Sequence, residues 1–525
     1  MYDSQNIKKH LTLFTFSRCL VLFNPYIQVD DDEFRWFGWL SSSLCLSFSN
    51  LRLPPWSFHG SPQIPTPNID ELANKGVILN NYYVQPICTP TRSAIMTGKY
   101  PIHTGMQHSV IEASQPYGLG LNETLLPQYL KKLGYATHGV GKWHLGFFER
   151  DYTPMHRGFD SFFGYWCGKG DYWDHSNREV GGWGLDLHDG EKNVWTEWGQ
   201  YSTELFSKKA VDVIQSHNTS DPLFLYLAFQ AVHSANYIQP LQAPPNLIAK
   251  FGGIKNMQRR IFAAMVTSMD QSIKKVVDAL KANNLYNNSI IVFTTDNGGP
   301  ANGFDMNMAS NYPLRGVKAT LWEGGIRGAS FVHSPLIKST GRVSTQMMHV
   351  TDWLPTLYVR AGGDIHDMQE SDGFDIWDSI VTDDMSPRTE ILINIDPVSN
   401  AAAYRVENWK IVVNETSRWS GWYPPPGLEA TQKQPKPTTL KNAVVTCTKP
   451  PPLTVQCTKE TGPCLFDLSS DPCEYVNQAK THPEILQNML QWLEKYKNDM
   501  MPIRNKNYDP AANPNNRGGV WDAWR

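Results

Sequence analysis

The 525-residue chain carries 47 Lys and Arg against 50 Asp and Glu, a formal net charge of −3, and 41% of its residues are hydrophobic. That length exceeds one ordinary core and predicts a large domain with a smaller one beside it. The near-neutral balance and the lack of a long basic block exclude the footprint of a nucleic-acid binder, so any anionic substrate must be held by local cations.

At the N-terminus, "NIKKHLTLFTFSRCLVLF" puts two lysines ahead of an apolar stretch that Arg18 interrupts. It reads either as a degraded signal peptide or as a buried segment. No apolar run reaches the ~18 residues that cross a bilayer, so no transmembrane segment is expected. From about residue 64 to 360 helix and strand patterns alternate. "NIDELANKG" predicts a helix with Asn68 as N-cap and Gly76 near its end. "NETLLPQYLKKLGY" predicts another helix, with "ATHGVGKWH" as the strand that leaves it. "YSTELFSKKAVDVIQSH" is helical by its apolar period. "PLFLYLAFQAVH" is a continuous apolar run, as in a strand buried on both faces. "QRRIFAAMVTSMDQSIKKVVDALKANN" predicts a long helix, and "SIIVFTTDNGG" a further buried strand. The alternation implies an α/β fold: a large mixed, mostly parallel sheet sandwiched by helices. Functional groups are then expected beyond the C-terminal ends of the strands. His144, His233 and the pair Asp296-Asn297 each follow a predicted strand.

After about residue 390 the chain changes character, with proline-rich loops such as "GWYPPPGLEATQKQPKPTT". "NWKIVVNE" and "PCLFDLSSDP" predict short strands, and "HPEILQNMLQWLEKYKNDM" a final amphipathic helix. The expected organisation is an atypical N-terminal segment over 1–55, a catalytic domain over 56–390 and a smaller α+β domain over 391–525. Cys447, Cys457, Cys464 and Cys473 lie in that last part without a Cys-x-x-Cys spacing, which favours disulfides over zinc and leaves their pairing open. Sequons at Asn122, Asn218, Asn287 and Asn414 lean towards the secretory route.

One stretch stands apart. Cys88-Thr89-Pro90-Thr91-Arg92, followed by "SAIMTGKYPIHTG", resembles the signature of the type I sulfatases. "GKWHLG" at 141–146, "AVHS" at 231–234, "TDNGG" at 295–299 and "LRGVKATLWEGGIRG" at 314–328 match the same family in the same order. "FGYW" and the terminal "GGVWDAW" are similar to its N-acetylgalactosamine-4-sulfatase (arylsulfatase B-like) branch. Singly, each residue has an ordinary reading: a buried thiol, structural histidines, a turn, a solvated lysine. Those readings would all have to hold together in the family's order.

The resemblance implies an alkaline-phosphatase-like fold and hydrolysis of sulfate esters on glycosaminoglycan sugars or aryl sulfates. It implies oxidation of Cys88 to formylglycine by a formylglycine-generating enzyme. The hydrated aldehyde would attack sulfur and then eliminate the sulfate, splitting one hard step into two easier ones. By the family's pattern Arg92 would orient that residue, Lys142 would contact the diol and the sulfate, and His144 would take the proton at elimination. His233 and Lys318 would bind sulfate and assist the leaving oxygen. Asp296 and Asn297, with residue 88, would be oxygen ligands of one Ca²⁺. The implied location is lysosomal or extracellular; the oligomeric state stays open.

The chain departs from the family at one place. The acidic pair that normally follows the first strand, supplying two calcium ligands, is missing: no Asp lies between residues 33 and 69. Asp31 and Asp32, in "IQVDDDEFRWFGW", are the candidates to replace it, and Pro25 argues against a central strand just before them. Loss or replacement of the first strand with its ligands is the other expectation, and it suggests a catalytically silent sulfated-glycan-binding homologue. A phosphatase or phosphodiesterase of the wider fold group is a further alternative, which Cys88 disfavours. "NYIQ" at 236–239 is read as an insertion beside His233.

Overall fold

The computed structural model describes residues 11–16, 18–23, 42–48, 57–61, 63–427, 440, 442–448, 451 and 454–525, the first three spans as backbone only. A twelve-stranded mixed sheet forms its centre. Ser161–Tyr165, Ala136–Lys142, Leu223–Ala228 and Ser42–Phe48 run parallel and adjacent in that order, and Ser42–Phe48 also pairs in parallel with Ile290–Thr295. Ser330–His333 then turns antiparallel against Ile290–Thr295.

Side-chain alternation explains why Leu223–Ala228 is an unbroken apolar run. Leu223, Leu225 and Leu227 pack into one core with the Ser202–Ser216 and Met257–Ala282 helices. Phe224, Tyr226 and Ala228 point the other way, into a core shared with the Cys88–Thr97, Leu126–Lys132 and Trp353–Arg360 helices. With period two, a strand covered on both faces favours apolar side chains at every position. The long helix buries Phe262, Met265, Met269, Ile273, Val276 and Leu280 along one stripe, each contributing roughly 1.5–3 kcal/mol where burial is complete. Asn256 caps it, accepting from Arg259 N at 2.9 Å.

A second sheet of four antiparallel strands, Glu390–Asp396, Ala401–Val406, Trp409–Val413 and Cys464–Asp467, packs against the Pro483–Asn498 helix. Disulfides join Cys447 to Cys473 and Cys457 to Cys464, while Cys88 and Cys167 are free and buried.

Three expectations are revised. Asn68 is not a cap: the helix runs Pro67–Asn74 after Thr66, and Asn68 uses its Nδ2 and N to reach Asp270, at 2.6 and 3.0 Å. The helix read from "NETLLPQYLKKLGY" starts only at Leu126, with Pro127 in its first turn. Ser42–Phe48, read as part of an atypical segment outside the catalytic domain, supplies the parallel strand beside Ile290–Thr295 in the central sheet. Leu11–Phe16 and Arg18–Phe23, the stretch read as signal peptide or buried segment, form an antiparallel pair within the same sheet.

Candidate active site

The C-terminal ends of the parallel strands deliver the polar residues. Lys142 is the last residue of Ala136–Lys142, and His144 follows two positions on with φ 62°. Asp296 and Asn297 come directly after Ile290–Thr295, and His233 five residues after Leu223–Ala228. Cys88 opens the Cys88–Thr97 helix, all ten residues of which are buried.

The helix is tied to the strand ends by its own side chains. Cys88 Sγ lies 3.4 Å from Asn297 Oδ1. Arg92 donates from Nη1 to the Lys142 carbonyl at 2.9 Å and pairs through Nη2 with Asp296 Oδ2 at 3.2 Å. Burial works against the Arg92 charge, but Tyr226, Asp296 and Cys88 outweigh it and raise its pKa. Thr89 Oγ1 donates to the His144 carbonyl at 3.2 Å and accepts from Ile111 N at 3.3 Å.

Lys142 is fully buried, and its Nζ has no hydrogen-bond partner among the described residues. Burial, reinforced by Arg92, pulls its pKa down to about 8 despite Cys88 and Asp296 nearby. His144 Nε2 donates to the Ile111 carbonyl at 2.9 Å, which leaves the lone pair on Nδ1; that nitrogen is buried and unpartnered among the described residues. Gly168 packs under the ring: a Cβ there would meet His144 Cε1 at 2.7 Å. His233 Nδ1 donates to the Ser234 carbonyl at 2.8 Å, so its Nε2 accepts from Lys318 Nζ at 2.9 Å. Burial, with Lys142 close to both, drives the pKa of His144 and of His233 well below the usual histidine range. Lys318 goes the other way: burial lowers its pKa, but Asp305 and Cys88 raise it further, so it stays an ammonium.

The fold therefore brings Cys88, Arg92, Lys142, His144, His233, Lys318, Asp296 and Asn297 to one end of the sheet. Asp31 and Asp32 lie outside the described residues. The register of Arg18–Phe23 and Ser42–Phe48 puts Arg18 and Phe48 beside Thr295, at the end of the sheet where the site lies. Among the described residues no group of three or more His, Cys, Asp and Glu is placed to hold a metal ion. Asp296 Oδ1 is buried and unpartnered there, but Asp296, Asn297 and residue 88 fall short of the six to eight oxygens calcium takes. The set does not complete a calcium shell.

Sequence reasoning missed Thr89, Ile111 and Asp305. Thr89 stands inside the Cys88–Arg92 motif with no role read for its hydroxyl, and Ile111 acts through a backbone carbonyl, which no motif encodes. Asp305 was an unmarked residue in a loop.

A family model described as Sulfatase matches residues 48–363. The chain is 42% identical over 490 residues to arylsulfatase J of Mus musculus, covering 89% of this chain and 77% of that protein. It is 30% identical over 326 residues to N-acetylgalactosamine-6-sulfatase of Homo sapiens, covering 58% of this chain and 59% of that protein. Among solved structures, Ps i-CgsB in complex with k-i-k-neocarrahexaose superposes with a TM-score of 0.72 at 27% identity, covering 87% of this chain and 93% of that one.

Proposed function

The chain belongs to the sulfatase family of sulfuric ester hydrolases, and on that premise we propose that it cleaves sulfate esters of glycosaminoglycan sugars or small aryl sulfates, using a formylglycine made from Cys88. One observation carries this reading. The buried Lys142 ammonium and Lys318 both lie within electrostatic reach of Cys88, and the buried His144 Nδ1, unpartnered like Lys142 Nζ among the described residues, belongs to a ring close to Lys142. A buried cation without a hydrogen-bond partner is costly unless an anion completes it.

The residues fit the modification. When oxidised, residue 88 supplies a hydrated aldehyde whose hydroxyl is the nucleophile, chemistry a thiol lacks. Arg92, locked between the Lys142 carbonyl and Asp296, fixes the helix start and orients residue 88. Lys142 and Lys318, both buried, hold the sulfate oxygens as fixed donors. His144, with Nε2 tied to Ile111, presents Nδ1 as the proton acceptor. The contact between Lys318 Nζ and His233 Nε2 gives a route for a proton towards the departing oxygen. Ca²⁺ would be expected on Asp296 and Asn297. Because the described residues leave its shell incomplete, no step is routed through it.

The carbohydrate in the neocarrahexaose complex supports a carbohydrate substrate. Exposed sequons at Asn122, Asn218 and Asn287 and the two disulfides support passage through the secretory pathway, where a formylglycine-generating enzyme would act, and a lysosomal or extracellular destination.

The test is secretory-pathway expression, peptide mass spectrometry around residue 88, and sulfate release from 4-nitrocatechol sulfate. Formylglycine with turnover that Cys88→Ala abolishes is the expected result. An intact thiol in a fully active chain would overturn the mechanism.

A second reading rests on the strand that ends at Phe48. The residues after it, "SNLRLPP", hold no carboxylate where the family places its acidic pair. In this reading the chain binds sulfated glycans and does not cleave them. Calorimetric titration with Ca²⁺ separates the two: a tight single site excludes the silent binder, and no heat at millimolar calcium supports it.

A further inference from the structure

Lys318 and His233 share a third neighbour. Asp305 Oδ2 accepts from Lys318 Nζ at 2.8 Å and lies 3.8 Å from His233 Nε2. The Asp305 side chain is 28% exposed, against 6% for each of the other two, so its carboxylate stands at the mouth with the two nitrogens beneath it. The residue is clamped there. Its carbonyl accepts from Ser234 Oγ at 2.6 Å, and Asn307 Nδ2 donates to the Val232 carbonyl at 2.9 Å. Asp305 and Met306 adopt φ of 52° and 51°, a region non-glycine residues rarely enter, so contacts rather than local preference set this turn. Across the mouth, Glu112 follows the Ile111 that holds His144, and Glu179 accepts from Ala113 N at 2.6 Å. The two buried lysines sit beneath a rim that carries carboxylates, with Lys169 among them.

That layering selects by charge. A sulfate reaching the floor is matched by Lys142 and Lys318. A second anionic group on the same alcohol, on the side of Lys318 and His233, would meet the Asp305 carboxylate instead. A hydroxyl in that place would donate to it.

We propose that Asp305 is a specificity-determining residue, which accepts a hydroxyl of the departing sugar and excludes a second sulfate there, so that singly sulfated units are preferred. The inference rests on the sulfate-ester reading of the same pocket.

Calorimetry on the Cys88→Ala chain tests it without turnover. The probes are N-acetylgalactosamine 4-sulfate, its 4,6-disulfate, and inorganic sulfate. The monosulfate should bind about tenfold more tightly than the disulfate, the effect of one like-charge contact of modest size. Adding Asp305→Asn should shrink that gap to within about threefold and tighten inorganic sulfate. Asp305→Ser, checked by its thermal midpoint, guards against a local folding defect in the first variant. Equal affinities in the Cys88→Ala chain, a gap unchanged in both Asp305 variants, or no binding of any probe would overturn the proposal. Failure of the unmutated chain to release sulfate would strike the hydrolase reading alone, since the binding comparison needs no turnover.

Discussion

Arg92 and Asp296 meet as an ion pair sealed from water, with Nη2 3.2 Å from Oδ2 and side chains 1% and 0% exposed. The pair joins the start of the Cys88–Thr97 helix to the end of the Ile290–Thr295 strand, and so sets the distance between residue 88 and its neighbours. Removing one partner leaves a buried charge uncompensated, which costs about 3–5 kcal/mol. Arg92→Ala should therefore lower stability by that order in urea unfolding as well as abolish activity. Arg92→Lys, whose single nitrogen cannot span both partners, should lose activity with a smaller loss of stability.

Lys142 makes binding depend on pH. Its pKa of about 8 means that the ammonium needed to hold an anion is lost as pH rises through that value. KM for a sulfate ester should climb above about pH 8, and anion binding there should be accompanied by proton uptake, since the bound anion favours the charged form. Calorimetry in two buffers of different ionisation enthalpy measures that uptake.

Buried neutral histidines make the fold sensitive to acid. Burial pulls the pKa of His333 down to about 4, and those of His144, His233 and His349 move in the same direction. Below about pH 6.5 the unfolded chain binds protons that the folded chain refuses, so stability falls as pH drops, by up to about 1.4 kcal/mol per pH unit for each such histidine. For His333 the window closes near pH 4. His333→Gln should flatten the fall between pH 6 and pH 4, read from urea midpoints; an unchanged slope would contradict the assignment.

Lys410 fastens the second sheet to the first body of the chain. Its Nζ lies 2.6 Å from Glu474 Oε1 and 3.2 Å from Glu323 Oε1, with all three side chains fully buried. Burial, together with Glu323, lifts the Glu474 pKa to about 7, while Lys410 and nearby arginines overcome burial to hold Glu323 low. Lys410→Met should destabilise by several kcal/mol, because Glu474 loses its cation and Glu323 keeps only Arg327 and Arg405 nearby. Adding Glu474→Gln to Lys410→Met should recover part of that loss.

The disulfides should differ in strength. Cys447–Cys473 closes a separation of 26 residues and Cys457–Cys464 one of 7. In the chain-entropy account the longer loop contributes about 1 kcal/mol more. Denaturation of the two Cys→Ala pair variants compares them directly.

Much of the central sheet and of its candidate site was legible from local pattern. The continuous apolar run at 223–228 and the buried-strand pattern at 290–295 marked strands covered on both faces, and polar residues after their ends had only one end of the sheet to occupy. The order of the motifs around Cys88, Lys142, His233 and Lys318 fixed the family, because residue types at set spacings are a property of the chain. Contacts between distant segments are not. Ser42–Phe48 carries a short, serine-rich pattern that gains strand character only by pairing with Leu223–Ala228 and Ile290–Thr295. Asn68 has the residue type of a cap, yet Asp270, two hundred and two positions away, claims it. Asp305 became part of the pocket because a loop clamped to Ser234 turned it onto Lys318. Periodicity and residue type act within a few turns of chain, whereas pairing, pKa and access to the pocket depend on which segments the packing of two cores brings within a few ångströms.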